Sequence, residues 1–199
     1  MNSISEFEQF LSEDMKELFG GCIKRGDVIR SLVENLGVTN SSVIFEAAFE
    51  TDMDPEKLYP VLHFHTTLAQ NVEDELVPKI VMGLNELNTA ISAGAFPAFG
   101  CFGYYAPLQQ VYLSYRMPVN LEAPEAERQN IRFYLGSLYD QLDIFVDFVL
   151  FLCDDPETIT LEEYMDYLDS ITDLNNIDLR IKALEKYLEE LEKEGTEEE

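Results

Sequence analysis

Val43, Phe45, Ala47 and Phe49 fall on one side of an extended segment, and Glu46 and Glu50 on the other. A hydrophobic period of two is that of a half-buried strand, so residues 42–50 are predicted as one. Residues 59–68 (YPVLHFHTTL) give a second strand, with Leu62, Phe64 and Leu68 inward. The stretch TDMDPEK between them is a turn that Asp54-Pro55 initiates. A second hairpin is predicted over 96–105 and 109–117, around Ala106-Pro107. Val111, Leu113, Tyr115 and Met117 share one side of its second strand, and Gln110, Tyr112, Ser114 and Arg116 the other.

Elsewhere the period is helical. Ile4, Phe7, Leu11 and Leu18 make one stripe over 3–19, which Ser3 or Ser5 caps and Gly20-Gly21 ends. Val28, Ile29, Leu32 and Val33 suggest a short helix over about 27–36, stopped by Gly37. Leu76, Ile80, Leu84, Leu87 and Ile91 align over 72–92, with Pro78 marking the first turn or a kink. A long helix over about 124–153 starts near Pro124 and carries a heptad-like seam of Ile131, Leu135, Leu138, Leu142, Phe145, Val149 and Leu152. Its last third is apolar nearly all round, which predicts burial on more than one side. Two further helices are expected at about 160–172 and 176–194, followed by a frayed acidic end.

The implied fold class is α+β: an antiparallel sheet built from two hairpins, packed against helices, with a C-terminal helical extension. Residues 1–153 form the α+β domain, and 154–199 an acidic helical extension with a disordered end.

Charge sharpens this division. The chain has 39 acidic and 13 basic side chains, a formal net charge of -26. Residues 154–199 hold 17 acidic and 4 basic side chains, a net of -13, so about a quarter of the chain carries half the charge. Such a polyanion is repelled by nucleic-acid phosphates and anionic membrane surfaces, so no nucleic acid and no membrane are expected as partners. Acidity serves solubility or attracts a basic protein partner. A decoy that occupies a nucleic-acid-binding protein would need carboxylates spaced like phosphates on a folded face.

Cys22, Cys101 and Cys153 are odd in number and far apart, with no disulfide framework or paired-Cys zinc pattern. The N-terminus lacks a secretory pattern, and the apolar run Ile144–Cys153 contains Asp147 and is too short to span a bilayer. These features point to a reducing cytoplasm.

Candidate chemistry is sparse. His63 and His65 are two apart on a predicted strand, so both imidazoles face one side and invite a metal ion, with Asp or Glu completing the set. The bland alternative is two polar residues on a strand face. Asp52-x-Asp54-x-Glu56 resembles a calcium loop, yet Lys57 stands where the sharp-turn glycine is needed. Gly100-Cys-Phe-Gly103 lacks the lysine and following helix of a phosphate loop and reads as a bulge or close packing. Cys101 reads as a buried inert thiol rather than a nucleophile. Tyr112, His63 and His65, with Tyr104 and Tyr105, line either an interaction face or ordinary cross-strand packing. No catalytic residue, metal ligand or cofactor site is assigned.

The stretch LQQVYLSYRMPVNLEAPEAERQNIRFYLGSLYDQLD holds a strand, then Tyr115-Arg116-Met117-Pro118, then an amphipathic helix through Ile131, Leu135, Leu138 and Leu142. This stretch and the element order over about 1–153 resemble the YbjN-like and type III secretion chaperone-like family. The resemblance implies a small acidic bacterial protein that binds other proteins and often dimerises, without catalysis. Two features depart from that family: two early helices where such folds usually show one, and the extension after Cys153. The leading expectation is a non-enzymatic, chaperone-like protein-binding module. Self-association to a homodimer would run through the seams at 131–152 or 76–91. The rival is a metal-dependent enzyme or regulator using His63 and His65.

Overall fold

The computed structural model describes residues 4–50, 60–94, 99–154 and 159–172. The element order is α1 (Ile4–Phe19), β1 (Ile23–Arg25), β2 (Val28–Leu36), β3 (Ser41–Glu50), β4 (Val61–Ala69), α2 (Val77–Ser92), β5 (Cys101–Tyr105), β6 (Gln110–Pro118), α3 (Pro124–Asp154) and α4 (Leu161–Thr172). The strands form one antiparallel six-stranded sheet in the order β1-β2-β3-β4-β6-β5. The fold class is α+β. The chain divides into two units, 1–158 and 159–199, and the sheet with α1, α2 and α3 belongs to the first.

Both predicted hairpins are present. Phe45, Ala47, Leu62, Phe64, Leu113 and Met117 are buried on one face of the sheet, as the alternation requires. Phe64 pairs with Ala47 on one side and Tyr115 on the other, so the apolar rows run straight across the strands. In β4 unbroken alternation makes Thr66 the third inward residue, and the register shift between Thr67 and Ala69 leaves Leu68 only part-buried. A β-bulge of this kind resets which side chains face inward.

Residues 27–36 are strand β2, not a helix. Gly26, at φ +59, and Asp27 make a two-residue turn that folds 28–36 between β1 and β3. Ile29, Ser31 and Val33 then point inward, while Leu32 stands on the other face, 52% exposed. Ser31, a polar residue at an inward position, hid the alternation, and β-branched Val28, Ile29 and Val33 suit a strand better than a helix. A register shift between Val33 and Leu36, with Asn35 at φ +60, returns Leu36 to the core.

Helices α1, α2 and α3 cover the inward face. The α3 seam is buried from Ile131 to Leu152 as expected, and Phe145 meets Phe102 edge to face at 6.3 Å. In α2, which begins at Val77 with Pro78 in its first turn, Ile80, Leu84 and Leu87 are buried. Both seams expected to mediate self-association are thus largely occupied by the chain's own core. In α1 the stripe is Phe7, Leu11, Asp14 and Met15, and Leu18 is 44% exposed. Asp14 tolerates burial because Arg128 and Arg132 of α3 reach its Oδ1 at 3.1 and 3.6 Å, and a buried carboxylate needs such partners.

Two polar residues of α3 are also buried, Gln141 and Asp147. Asp147 accepts hydrogen bonds from the Val38 amide at 2.6 Å and from the Thr39 hydroxyl, and Asp143 accepts one from the Gly37 amide at 2.8 Å. The helix therefore holds the β2–β3 turn through carboxylates.

The second unit is described over 159–172. Thr160 and Glu163 cap α4 reciprocally: the Glu163 amide donates to Thr160 Oγ1 at 3.2 Å, and Glu163 Oε2 accepts from the Thr160 amide at 2.9 Å. Donation from the Thr160 amide and then from the Thr160 hydroxyl to Oε2 holds the Glu163 carboxyl below its ordinary pKa. The helix expected over 176–194 and the acidic end lie outside the described residues, as does the turn 51–57. Among the described residues no helix is long and apolar enough to cross a membrane.

Candidate functional site

Because strand side chains alternate, burying one face of the sheet fixes the composition of the other. Register lays that second face out in rows. One row runs Cys101, Ser114, His65, Glu46, Arg30, Ile23. A second runs Arg116, His63, Ala48, Val28, Arg25, and a third Gly103, Tyr112, Thr67, Ile44, Leu32. These residues are half-exposed or exposed, so none of the helices α1, α2 and α3 covers them. Leu32 and Ile44 sit directly opposite each other, each 52% exposed.

The β4–β6 half of this face is polar and aromatic. His63 Nε2 lies 2.9 Å from Ser114 Oγ, and its Nδ1 lies 3.6 Å from Glu50 Oε1. Arg116 Nε donates to the same Glu50 oxygen at 2.6 Å. His65 stacks on Tyr112 with ring centroids 5.3 Å apart and meets His63 edge to face at 5.8 Å. Together with Tyr105 and Gln110 they line an open depression of about 180 Å³. Glu46 and Glu50 of this face are paired with Arg30 and Arg116, while Glu34, two residues beyond Leu32 on the same side of β2, stands exposed.

Both imidazoles have a pKa below the ordinary histidine value. For His63 the causes are burial first, then the Arg116 charge, against the opposing pull of Glu50. For His65 burial leads, with Glu46 opposing and Arg116 reinforcing. Both rings are therefore neutral at pH 7. The unfolded chain takes up these protons at higher pH than the folded protein does. Stability due to this pair is accordingly complete above about pH 6.5 and falls as pH drops toward the lowered folded values. Proton NMR titration is expected to give both imidazole midpoints below 6.5. Replacing either ring with Gln should flatten the loss of denaturation midpoint between pH 7 and pH 5. An unaltered slope in both variants would mean that other groups carry the acid sensitivity.

The two histidines share a face, as their spacing required. Among the described residues, however, no group of three or more His, Cys, Asp or Glu side chains is arranged to hold a metal ion. His63 spends Nε2 on Ser114, and the nearby carboxylate of Glu50 is taken by Arg116. The Asp52–Glu56 segment lies outside the described residues.

The glycine pair has a packing explanation. A Cβ on Gly100 would stand 2.4 Å from Leu113, and one on Gly103 would stand 2.6 Å from the Tyr112 ring. Cys101 is exposed rather than buried, because it alternates with Phe102, which takes the core side. Its thiol lies 3.6 Å from the Phe102 carbonyl oxygen rather than on an imidazole. Cys153 is the buried thiol, its pKa pushed up to about 12 by burial and by Asp154.

No family model matches the chain, and no match to it was found among curated proteins or solved structures. The open sheet face must be read from its own chemistry. Sequence reasoning had put Tyr112, His63 and His65, with Tyr104 and Tyr105, on one candidate face, and Ser114 and Arg116 beside Tyr112 on their strand, without joining the two sets. It missed Glu50 as their partner, and it missed Leu32 and Ile44 because 27–36 read as a helix.

Proposed function

We propose that this chain is a non-enzymatic protein-binding module, chaperone-like in mode, that takes a polypeptide partner on the open face of its sheet. The observation that carries the reading is the Leu32–Ile44 pair. Two branched apolar side chains face each other across β2 and β3, each about half exposed, on a face that the helices of the same unit leave bare. Tyr105, Tyr112 and the neutral imidazoles extend this surface across β4, β6 and β5. Amphipathic rings of this kind are favoured at protein interfaces.

Charge supports the same surface. The chain carries -26, yet Glu46 and Glu50 on this face are each paired with an arginine. A partner segment that is apolar at its centre and basic at its flanks meets paired Glu46 and Glu50 at the centre and exposed Glu34 beside Leu32, and is attracted by the surrounding field. The resemblance to the YbjN-like and type III secretion chaperone-like family leads to the same reading. One of its two departures disappears, since the early part holds one helix rather than two. The free cysteines Cys22, Cys101 and Cys153 are in keeping with a cytoplasmic setting.

A photo-crosslinking amino acid placed at Ile44 or Thr67 in the native host tests this. Both positions are expected to yield the same discrete adduct, while the exposed position Glu86 on α2 yields none. Equal labelling from all three positions would contradict a face-specific partner.

A further inference from the structure

Four outward side chains of β4 and β6 make a square on the open sheet face. His63 stands opposite Arg116, and His65 opposite Ser114. Opposite residues in an antiparallel ladder have Cβ atoms about 4.5–5.5 Å apart, and diagonal ones roughly 7–8 Å. The chain has 13 basic side chains and 2 histidines against 39 acidic ones, and this square holds both histidines and an arginine. Groups able to carry positive charge are thus gathered at one spot in a strongly acidic chain.

The square has donors left over. Glu50 accepts from Arg116 Nε at 2.6 Å, and the two terminal nitrogens of that guanidinium donate no bond among the described residues. Glu50 therefore fixes one side of the fork and leaves its end open. His65 is half-buried and held by its stack on Tyr112, and neither of its ring nitrogens has a hydrogen-bond partner among the described residues. Ser114 Oγ lies 2.9 Å from His63 Nε2. When that nitrogen carries the proton, the serine hydroxyl is free to donate outward. A guanidinium end, an imidazole and a hydroxyl thus line one depression, and all three can donate to a single acceptor group.

We propose that this depression is a binding site for a phosphate monoester, with Arg116, His65 and Ser114 donating to its phosphoryl oxygens. A phosphoryl group offers three acceptor oxygens and a charge of about -1.5 to -2 at pH 7, whereas a carboxylate offers two oxygens and one charge. The open end of an arginine takes phosphate in two parallel bonds. The depression, about 180 Å³, exceeds a bare oxyanion, and Tyr105, Gln110 and Tyr112 line the remainder, so the group that carries the phosphate is seated as well. Scale limits the ligand. A chain of -26 repels an extended polyanion, but charges more than roughly 8 Å away are screened at physiological salt, so a single phosphate responds mainly to the square. Glu46 and Glu50 of β3, the carboxylates beside the square, are held by Arg30 and Arg116. A bound dianion favours the charged form of both imidazoles, so binding draws protons onto His63 and His65. Charged His63 donates from Nε2 to Ser114, which turns the serine proton toward the ligand. The ester is a free small molecule or a phosphorylated side chain of the polypeptide partner, and the chemistry recognised is the same.

The test is an NMR titration of the full-length chain with phenyl phosphate at constant ionic strength, with acetate as the control. Saturable shifts of the His63 and His65 ring signals are expected, and both imidazole midpoints should rise on saturation. Arg116→Gln and Ser114→Ala should each weaken phenyl phosphate by about tenfold. Arg25→Gln removes an exposed charge from β1 on the same face and should leave the affinity unchanged. Ser114→Ala keeps the Arg116–Glu50 pair and decides the matter if Arg116→Gln does not fold. Rings that give no saturable response overturn the proposal. So does acetate acting as strongly as phenyl phosphate, or an affinity that Ser114→Ala and Arg116→Gln leave intact. A phosphotyrosine peptide separates the two sources. Tighter binding than phenyl phosphate places the ester on a polypeptide, equal binding makes it a free small molecule, and both support the site. The site goes beyond the docking surface around Leu32 and Ile44, and its failure leaves the crosslinking expected from Ile44 untouched.

Discussion

Replacing Asp147 with alanine is expected to lower the unfolding free energy by about 2 kcal/mol, the scale for losing hydrogen bonds to a charged acceptor. Asp147 is 3% exposed and lies in the most apolar third of α3. Its carboxylate takes the Val38 amide and the Thr39 hydroxyl and so ties the turn to the helix. Asp147→Asn retains an acceptor and the side-chain volume and is expected to cost about half as much, since bonds to charged groups are roughly twice as strong as neutral ones. Gly37 is the other half of the joint. It sits at φ +66, and a Cβ there would come within 2.5 Å of the Asp147 carboxylate. Gly37→Ala is therefore expected to cost about 2 kcal/mol, from left-handed strain together with displacement of the carboxylate. The two losses should not add, because Asp147→Ala removes the atoms that the new methyl meets. Urea denaturation of the two single variants and the double variant reads this directly. An Asp147→Ala variant within about 0.5 kcal/mol of wild type would place it among ordinary surface changes and sink the account of the turn.

The parts of the fold that showed in the sequence are those where one period dominates a long enough stretch. β3 alternates without a break from Val43 to Phe49, and the α3 seam repeats through seven apolar positions. Segment 27–36 failed because Val28, Ile29, Leu32 and Val33 satisfy a helical stripe by coincidence, while Ser31 interrupts the strand pattern. Pairing with β3, a contact invisible to any local window, decided the outcome. Leu68 misled for a related reason, since a bulge after Thr67 changed the register. Nothing local in the sequence marked Asp14 and Gln141 for burial or gave Asp147 a partner. Their partners are Arg128, the β5 edge and the β2–β3 turn, about 40 to more than 100 residues away in sequence.

The candidate site was half visible. A period of two put His63 and His65 on one side and Ser114 and Arg116 on one side, but only the β4–β6 register brings the two pairs together. Leu32 and Ile44 were out of reach once their strands had been assigned different structures.

The second large effect concerns this face. Leu32→Lys combined with Ile44→Glu places opposite charges across a pair that was apolar, and such cross-strand pairs are tolerated in sheets. Because both side chains are half exposed, the double variant is expected to unfold within about 0.5–1 kcal/mol of wild type. Partner binding should respond very differently. Truncating or charging a central apolar anchor costs about 2 kcal/mol or more, a loss of roughly thirtyfold in affinity. The most direct test is a binding isotherm of the wild-type chain and this double variant against the protein captured at Ile44. The account predicts an affinity at least thirtyfold weaker, with the melting transition essentially unmoved. Equal affinity in a folded variant would show that the partner sits elsewhere on the molecule.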